Sequence, residues 1–193
     1  MKHHAGQYYH VYNRGVAHQT IFLTKDNYLF LMRSIKEFLP DYKLSFIAYC
    51  LLPNHYHFLI RVNADDQLSP FLQRLFNRYT QAFNKQQSRT GTLFEGRAQC
   101  KLVDTNEYVL QLARYIHLNP VRAGLAIHPQ DWEFSNFREW AGTRNGALVD
   151  NEFVRDFFPK PKKYEAFVLA DISEEMEQKV TGYVIERFPN ERH

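Results

Sequence analysis

The chain has 193 residues, enough for one domain with its own hydrophobic core, alone or with an extension. The N-terminal MKHHAGQYYH has no apolar signal core and no apolar run is long enough to cross a bilayer, which argues against a membrane or secreted protein. The only two cysteines, Cys50 and Cys100, exclude a disulfide framework. We therefore expect a cytoplasmic protein with no membrane partner.

The net charge of +3 is unevenly distributed along the sequence. Residues 68–101 hold six basic side chains against the single acid Glu95, whereas residues 146–193 hold seven basic and ten acidic side chains. A basic block in an otherwise balanced chain favours a polyanionic partner such as nucleic acid. The 16% aromatic content fits a packed core and equally fits a surface that stacks on bases.

The first third of the chain predicts a strand, a helix and a hairpin. Residues 8–14 are aromatic and β-branched, which indicates a strand. Residues 26–39 repeat their apolar side chains with the helical period, and a proline follows. Two apolar segments, 43–52 and 55–62, flank a Pro-Asn turn and predict a β-hairpin.

The middle of the chain predicts a long helix followed by a weak strand. Ser69 is suited to cap the helix and Pro70 to occupy its first position, and the apolar face continues to about Gln87. Residues 96–103 predict the strand. The next helix begins after a cap at residue 104 or 105.

That helix has a predicted end as well as a predicted start. It should reach about Asn119, because Pro120 cannot continue it. The element order is then β-α-β-β-α-β followed by a helix, which predicts an α+β sandwich: an antiparallel sheet with helices on one face. The segment TRNG after Gly142 has linker composition. We therefore assign residues 1–142 to the domain and residues 143–193 to a helical C-terminal extension.

The second strand of the hairpin carries two histidines one residue apart. Strand side chains alternate between faces, so His55 and His57 share one face while Tyr56 and Phe58 share the other and can enter the core. Two imidazoles at i and i+2 can hold one metal ion, although such pairs also occur as structural histidines. No Cys-x-x-Cys or His-Glu-x-x-His pattern indicates structural zinc or a metalloprotease. A metal site here needs a third ligand from elsewhere.

The helix at residues 106–119 offers such a partner. At about 100° per residue, Tyr108, Tyr115 and Asn119 fall together beside its apolar stripe. A phenol, with an ordinary pKa of about 10, is a poor nucleophile at neutral pH, and a metal ion would lower its barrier to attack. Taken alone, Tyr115 is better explained as a tyrosine of an amphipathic helix with its hydroxyl in water, and Asn119 as an ordinary residue before proline.

The long middle helix carries a cationic stripe opposite its apolar face, formed by Arg74, Arg78 and Lys85. One interpretation is a track for a phosphate backbone, with Arg97 and Lys101 adding charge further along the chain. The alternative is an ordinary solvated helix face.

Four stretches, taken together and in order, are far more specific than any of these features. They are HVYNRG at 10–15, LLPNHYHFLI at 51–60, GTLFEGR at 91–97 and YIHLNPVRAGL at 115–125. On them the chain resembles the single-tyrosine HUH transposases of insertion sequences, most closely the REP-associated tyrosine transposases. HUH denotes His, a hydrophobic residue and His, here residues 55–57. The resemblance covers roughly residues 7–142.

This resemblance implies a ferredoxin-like HUH domain, in agreement with the predicted element order. It also implies that His55 and His57 bind a divalent cation, Mg²⁺ or Mn²⁺, that Asn119 supplies a third polar ligand, and that Tyr115 is the nucleophile. Family members act on single-stranded DNA beside a hairpin. They form a 5′-phosphotyrosine and leave a free 3′-OH, which can attack in reverse to rejoin strands.

The resemblance turns the basic residues into candidates for DNA binding. The set consists of Arg14, Arg74, Arg78, Lys85 and Arg97. Two other functions stay open at this point: a non-cleaving, repressor-like DNA-binding protein of the same fold, and a metal-dependent nuclease that uses water and forms no covalent adduct. The sequence leaves the DNA target open, and it is compatible with a monomer or a homodimer.

Overall fold

The computed structural model describes residues 2–170 and residue 178. Within these residues the strands are β1 (Tyr8–Arg14), β2 (Leu44–Leu52), β3 (His55–Val62) and β4 (Gln99–Val103). The α-helices are α1 (Lys25–Phe38), α2 (Leu68–Gln86), α3 (Asn106–Arg122), α4 (Phe137–Trp140), α5 (Asn151–Phe157) and α6 (Pro161–Leu169). No helix in this part of the chain is long and apolar enough to cross a membrane.

The four strands form one antiparallel sheet with the order β2-β3-β1-β4. The chain connects them as β1-α1-β2-β3-α2-β4, so the two β-α-β halves interleave with β1 and β3 at the centre. This is the ferredoxin-like α+β fold that the element order and the resemblance predicted. The bounds of β1 and β3 agree with the sequence prediction to the residue.

Helices cover both faces of the sheet, so the prediction of helices on one face was wrong. Strands β2 and β3 are buried along nearly their whole length on both sides, and each side therefore needs an apolar cover. Helices α1 and α2 pack on the face that carries Tyr56 and Phe58. Helix α3 and the helices that follow it pack on the opposite face, over Ala48, Cys50 and Leu59.

Two predicted helix ends were also wrong. Helix α2 begins at Leu68, one residue before the predicted cap Ser69, and its N-cap Gln67 makes no side-chain capping bond. Helix α3 runs through Pro120 to Arg122. Proline lacks only its own N–H, and the Pro120 carbonyl still accepts a hydrogen bond from the Leu125 N–H at 2.8 Å, so the last turn stays ordered around it.

Part of the predicted extension belongs to the core on the α3 face. Phe153 of α5 and Tyr164 and Val168 of α6 are buried against Trp140 and α3. The predicted domain boundary at residue 142 stays a prediction. The last part of the predicted helical extension, residues 171–193, lies outside the described residues, apart from residue 178.

Candidate active site between the sheet and α3

The two histidines of β3 point toward α3, as their strand alternation requires. Both side chains are buried; His55 is 9% exposed and His57 only 2%. Their rings lie 5.1 Å apart, centroid to centroid, and nearly perpendicular at 84°. Strand pairing fixes them, because His57 lies opposite Tyr12 of β1 and His55 opposite Arg14.

Each imidazole has its Nδ1 atom engaged by a neighbour. His55 Nδ1 lies 2.7 Å from Asn54 Oδ1, and since an amide oxygen can only accept, the imidazole donates. His57 Nδ1 lies 2.9 Å from Nε2 of His10, which comes from the adjacent strand β1. Metal-binding histidines usually show this arrangement, in which one nitrogen is held by a second group and the other faces the metal. The contacts leave Nε2 of His55 and of His57 for a ligand.

Both imidazoles are neutral at neutral pH. Burial lowers the pKa of His55 to about 4, and the nearby positive charges of Arg14 and His18 act in the same direction. Burial also lowers the pKa of His57 well below its ordinary value, with further contributions from His10 and His55. A neutral imidazole can offer a nitrogen lone pair to a metal ion, whereas the protonated ring cannot.

Helix α3 brings a tyrosine to this pair. Its start is fixed by Thr105, whose side chain accepts a hydrogen bond from the Tyr108 N–H at 3.2 Å. One apolar face packs on the sheet, and this orients Tyr115 so that its ring lies 5.9 Å from the His57 ring at an angle of 88°. The tyrosine, 9% exposed, and the histidine therefore meet within one chain.

Asn119 and Arg122 extend the site along α3. Asn119 is buried one turn after Tyr115, and its amide Nδ2 donates to the Tyr115 carbonyl at 3.3 Å, which leaves its Oδ1 as a potential ligand. The guanidinium carbon of Arg122 lies 5.0 Å from the centre of the Tyr115 ring, within cation–π range. The positive charge of Arg122 thus lies over the face of the Tyr115 ring.

The residues present fit a divalent cation. Among residues 2–170 and 178, no group of three His, Cys, Asp or Glu side chains is placed to hold a metal ion. Of the described residues on α3, Asn119 offers an amide oxygen that is suited to join the two imidazoles as a third ligand. Two imidazole nitrogens and one amide oxygen are compatible with Mn²⁺ and, less well, with Mg²⁺, which prefers oxygen ligands.

Comparison with known proteins identifies the family. The profile described as "Transposase IS200 like" matches residues 4–119, more than half of the chain. The chain belongs to the IS200-like transposase family. The match takes in both histidines, Tyr115 and Asn119. The resemblance derived from the four sequence stretches is therefore confirmed.

One curated relative and one solved structure carry the name REP-associated tyrosine transposase, the group that the chain most closely resembles in sequence. A protein of Haemophilus influenzae, named as a candidate REP-associated tyrosine transposase, is 26% identical over 112 residues. That alignment covers 53% of this chain and 64% of the relative, so the chain spans less than two thirds of the relative's length. A solved REP-associated tyrosine transposase bound to a REP hairpin is 18% identical, with a TM-score of 0.63 over 78% of this chain and 94% of that one. At this identity, the structural match supports the shared fold.

One of the predicted DNA-binding residues of this IS200-like transposase, Arg14, lies beside the histidines. Arg14 lies opposite His55 in the β1–β3 register, and its mostly buried side chain is paired with Glu95. Arg97 is exposed and follows Glu95 by two residues. The Arg14 side of the site therefore carries one partly covered cation, and the exposed Arg97 lies in the segment that follows the partner of Arg14, Glu95.

The predicted stripe on α2 is not brought to the histidines, because α2 packs on the opposite face of the sheet. Arg74 is paired with Asp41 and Arg78 with Glu37, each at 2.7 Å. Both guanidinium groups also lie over the Phe38 ring, at 4.0 and 5.0 Å. Lys85 is exposed on the same helix. Their role in DNA binding stays a prediction.

Sequence reasoning missed three residues that contact the site. Asn54 and Arg122 had a local signal: Asn54 directly precedes His55, and Arg122 lies seven residues, about two turns, after Tyr115. His10 begins the HVYNRG stretch that contributed to the family resemblance, but its contact with His57 depends on the β1–β3 register, which the stretch does not specify.

Proposed function

We propose that this IS200-like transposase cleaves and rejoins single-stranded DNA next to a hairpin, through a covalent 5′-phosphotyrosine. The contact between Tyr115 and His57 carries the proposal, because it sets a potential nucleophile against two neutral metal-binding imidazoles in one buried site. The family assignment agrees with DNA strand transfer as the reaction class.

His55, His57 and Asn119 would hold the divalent cation, Mn²⁺ or Mg²⁺. When bound, such an ion supplies Lewis-acid polarisation of the scissile phosphate and stabilises developing negative charge. The chain's own residues do the remaining work. Asn54 and His10 orient the imidazoles, and α3 holds Tyr115 and Asn119 one turn apart on the same side.

Tyr115 acts as the nucleophile in the proposed reaction. Its phenolic oxygen forms a bond to phosphorus as the bond from phosphorus to the 3′ oxygen breaks. The phenolic proton is lost and the leaving oxygen gains one, so the products are a 5′-phosphotyrosine and a free 3′-OH. The reverse attack of a 3′-OH on the phosphotyrosine rejoins DNA and restores the phenol. Arg122, over the Tyr115 ring, would favour the developing negative charge on its oxygen.

The proposed substrate is single-stranded DNA with a hairpin, and the proposed place of action is the cytoplasm. The solved relative in complex with a REP hairpin supports a hairpin ligand. Arg14 would contact a phosphate close to the cleavage point, because it lies opposite His55 in the β1–β3 register, and the exposed Arg97 would add a contact from the segment that follows Glu95.

A gel assay tests the proposal. The protein is incubated with a 3′-end-labelled single-stranded hairpin and Mn²⁺ or Mg²⁺, and the products are separated under denaturing conditions. We expect a protein–DNA adduct that disappears in Tyr115→Phe and persists in Tyr108→Phe, which removes a hydroxyl from the same helix. Cleavage that survives in Tyr115→Phe would indicate hydrolysis by water, and binding without cleavage in the wild type would indicate a repressor-like protein. Either result overturns the proposal.

A further inference from the structure

His10 is a fully buried histidine in the middle of β1, between β3 and β4. It lies across from Leu59 of β3 and Lys101 of β4, and its side chain points to the same face as the histidine pair. The ring of Tyr12, two residues along the same strand, lies 4.7 Å from the His10 ring and helps to fix its position. A buried imidazole without a structural partner would be costly, so its contacts indicate what it does.

One contact is decisive. His10 Nε2 lies 2.9 Å from Nδ1 of His57, with the two rings within 19° of parallel. The other ring nitrogen of His10, Nδ1, is buried and has no hydrogen-bond partner among the described residues. The main polar interaction of this side chain is therefore the one with His57.

The number of protons restricts this pair to two arrangements. A neutral imidazole carries one N–H, and only one proton can occupy the His10–His57 hydrogen bond. If His10 donates, the proton of His57 must sit on Nε2, and that nitrogen has no lone pair to offer. If His57 donates from Nδ1, its Nε2 has the lone pair. His57 can bind a metal through Nε2 only when His10 is the acceptor.

We propose that His10 is a positioning residue that holds His57 in the Nδ1–H tautomer, so that Nε2 presents a lone pair to the divalent cation. The proposal deepens the proposed function and rests on it for the identity of the ligand. Asn54 does the same for His55 through its amide oxygen, so each imidazole of the pair has its own acceptor.

The chemistry of the acceptor suits a site that receives a phosphodiester. Outer-shell partners of metal-bound histidines are often carboxylates, which add negative charge. A neutral imidazole at position 10 and a neutral amide at position 54 orient the ligands without adding charge that would repel the DNA phosphate.

The tautomer can be measured without metal or DNA. Long-range ¹H–¹⁵N correlation spectra of the ¹⁵N-labelled, metal-free wild type report which nitrogen of His57 carries the proton. We expect the Nδ1–H form. In His10→Phe, which keeps a flat ring but removes the acceptor, His57 should shift toward the Nε2–H form. In His10→Gln, whose amide oxygen can accept, the wild-type form should persist.

Binding of Mn²⁺ alone, followed by electron paramagnetic resonance, provides the second measurement. We expect His10→Phe to weaken Mn²⁺ binding about 10- to 100-fold, as is typical when an outer-shell partner is removed, and His10→Gln to restore most of it. His3→Gln is the matched control, because His3 is also a buried histidine but contacts Tyr9 and lies near Ser69. It should leave Mn²⁺ affinity and the His57 tautomer unchanged.

The outcomes separate the two proposals. A wild type whose His57 is in the Nε2–H form overturns the role of His10, and this test needs no variant to fold. Mn²⁺ affinity and His57 tautomer that both stay unchanged in His10→Phe also overturn it. A wild type with the Nδ1–H form that binds no Mn²⁺ overturns the metal part of the proposed function while leaving the positioning of His57 in place.

Discussion

Asn119 is the residue on which a three-ligand site depends. The two imidazoles are held by strand pairing and by their own acceptors, but the proposed third ligand lies on a helix on the other side of the site. The Asn119 amide is already oriented, since its Nδ2 donates to the Tyr115 carbonyl. The Asn119 side chain thus contacts the backbone of the proposed nucleophile through its nitrogen and leaves its oxygen for the proposed metal ion.

We expect Asn119→Ala to weaken Mn²⁺ binding at least about tenfold, because the variant loses the oxygen ligand that is proposed to complete the site. Isothermal titration calorimetry with Mn²⁺ and metal-free protein would measure the change. Asn106→Ala, at an exposed asparagine of the same helix, is the control and should bind Mn²⁺ like the wild type. Equal affinities for Asn119→Ala and the wild type would remove Asn119 from the ligand set.

At the scale of elements, α6 fixes the helix that carries the tyrosine. His117 of α3 is fully buried, with Nδ1 at 2.5 Å from the Tyr164 hydroxyl and Nε2 at 2.9 Å from Asn136 Oδ1. Arg114, one residue before Tyr115, donates its Nε–H to the carbonyl of Val168 at 2.9 Å. These contacts flank Tyr115 in sequence, so the packing of α6 controls where its ring lies.

Removing the Tyr164 hydroxyl should therefore destabilise the protein. Tyr164→Phe leaves a buried imidazole nitrogen without its partner, which costs about 1–3 kcal/mol. Urea unfolding at neutral pH would measure the decrease in the free energy of unfolding. Tyr8→Phe makes the same chemical change at a half-buried tyrosine that packs on Phe153, and we expect a smaller effect there. Equal effects at the two positions would contradict the importance of the His117 contact.

Helix α2 shows how packing changes the interpretation of a charged face. Its two arginines, Arg74 and Arg78, are exposed enough to reach DNA, yet each is paired with an acid of the α1 side and lies over Phe38. Exposed ion pairs of this kind stabilise a fold by less than about 1 kcal/mol. The pairs reduce the positive charge that the stripe can offer to a phosphate backbone.

The salt dependence of DNA binding tests the stripe directly. If α2 binds the backbone, the triple variant Arg74→Gln/Arg78→Gln/Lys85→Gln lowers the slope of log Kobs against log salt by about 0.7 for each phosphate of single-stranded DNA that it no longer neutralises. We expect a reduced slope in fluorescence-anisotropy titrations. A matched triple variant at Lys25, Lys160 and Lys162 removes the same charge elsewhere. If the α2 variant has the same slope as the wild type, Arg74 and Arg78 contribute to helix packing and not to DNA binding.

At the scale of the whole molecule, five buried histidines among the described residues make stability depend on pH; one of them is His3, whose pKa burial lowers. Burial lowers the pKa of His10 to about 3 and those of His55 and His117 to about 4, and it lowers the pKa of His57 as well. In the unfolded chain these groups titrate near their ordinary pKa of about 6.5. Below that pH the unfolded state binds protons that the folded state does not, so acid favours unfolding.

We expect the free energy of unfolding to be nearly constant above pH 7 and to fall as the pH drops from about 6.5 to about 5. The decrease should be about 2 kcal/mol for each histidine that stays unprotonated in the folded state. Urea unfolding in the presence of EDTA at pH 7.5, 6 and 5 measures it. His4→Gln removes an exposed histidine and should show the same pH dependence as the wild type. A flat profile between pH 7.5 and 5 would contradict neutral, buried histidines.

The sequence by itself determined the elements and the chemistry they carry. Strand alternation placed His55 and His57 on one face, the helical period placed Tyr115 and Asn119 on one flank, and four ordered stretches identified the family. These features are local, because side-chain direction on a strand or helix follows from backbone geometry alone. The positions of Tyr56 and Phe58 in the core followed from the same alternation.

Only the tertiary structure decided which elements meet. The β1–β3 register places His10 against His57. Helix α2 packs on the face opposite the histidines, and there Arg74 and Arg78 form ion pairs with Asp41 and Glu37. Strands buried on both sides required helices on both faces, and α5 and α6 completed the cover over α3. Such contacts join residues far apart in sequence, and their formation depends on the burial of complementary apolar surfaces, which no local pattern specifies.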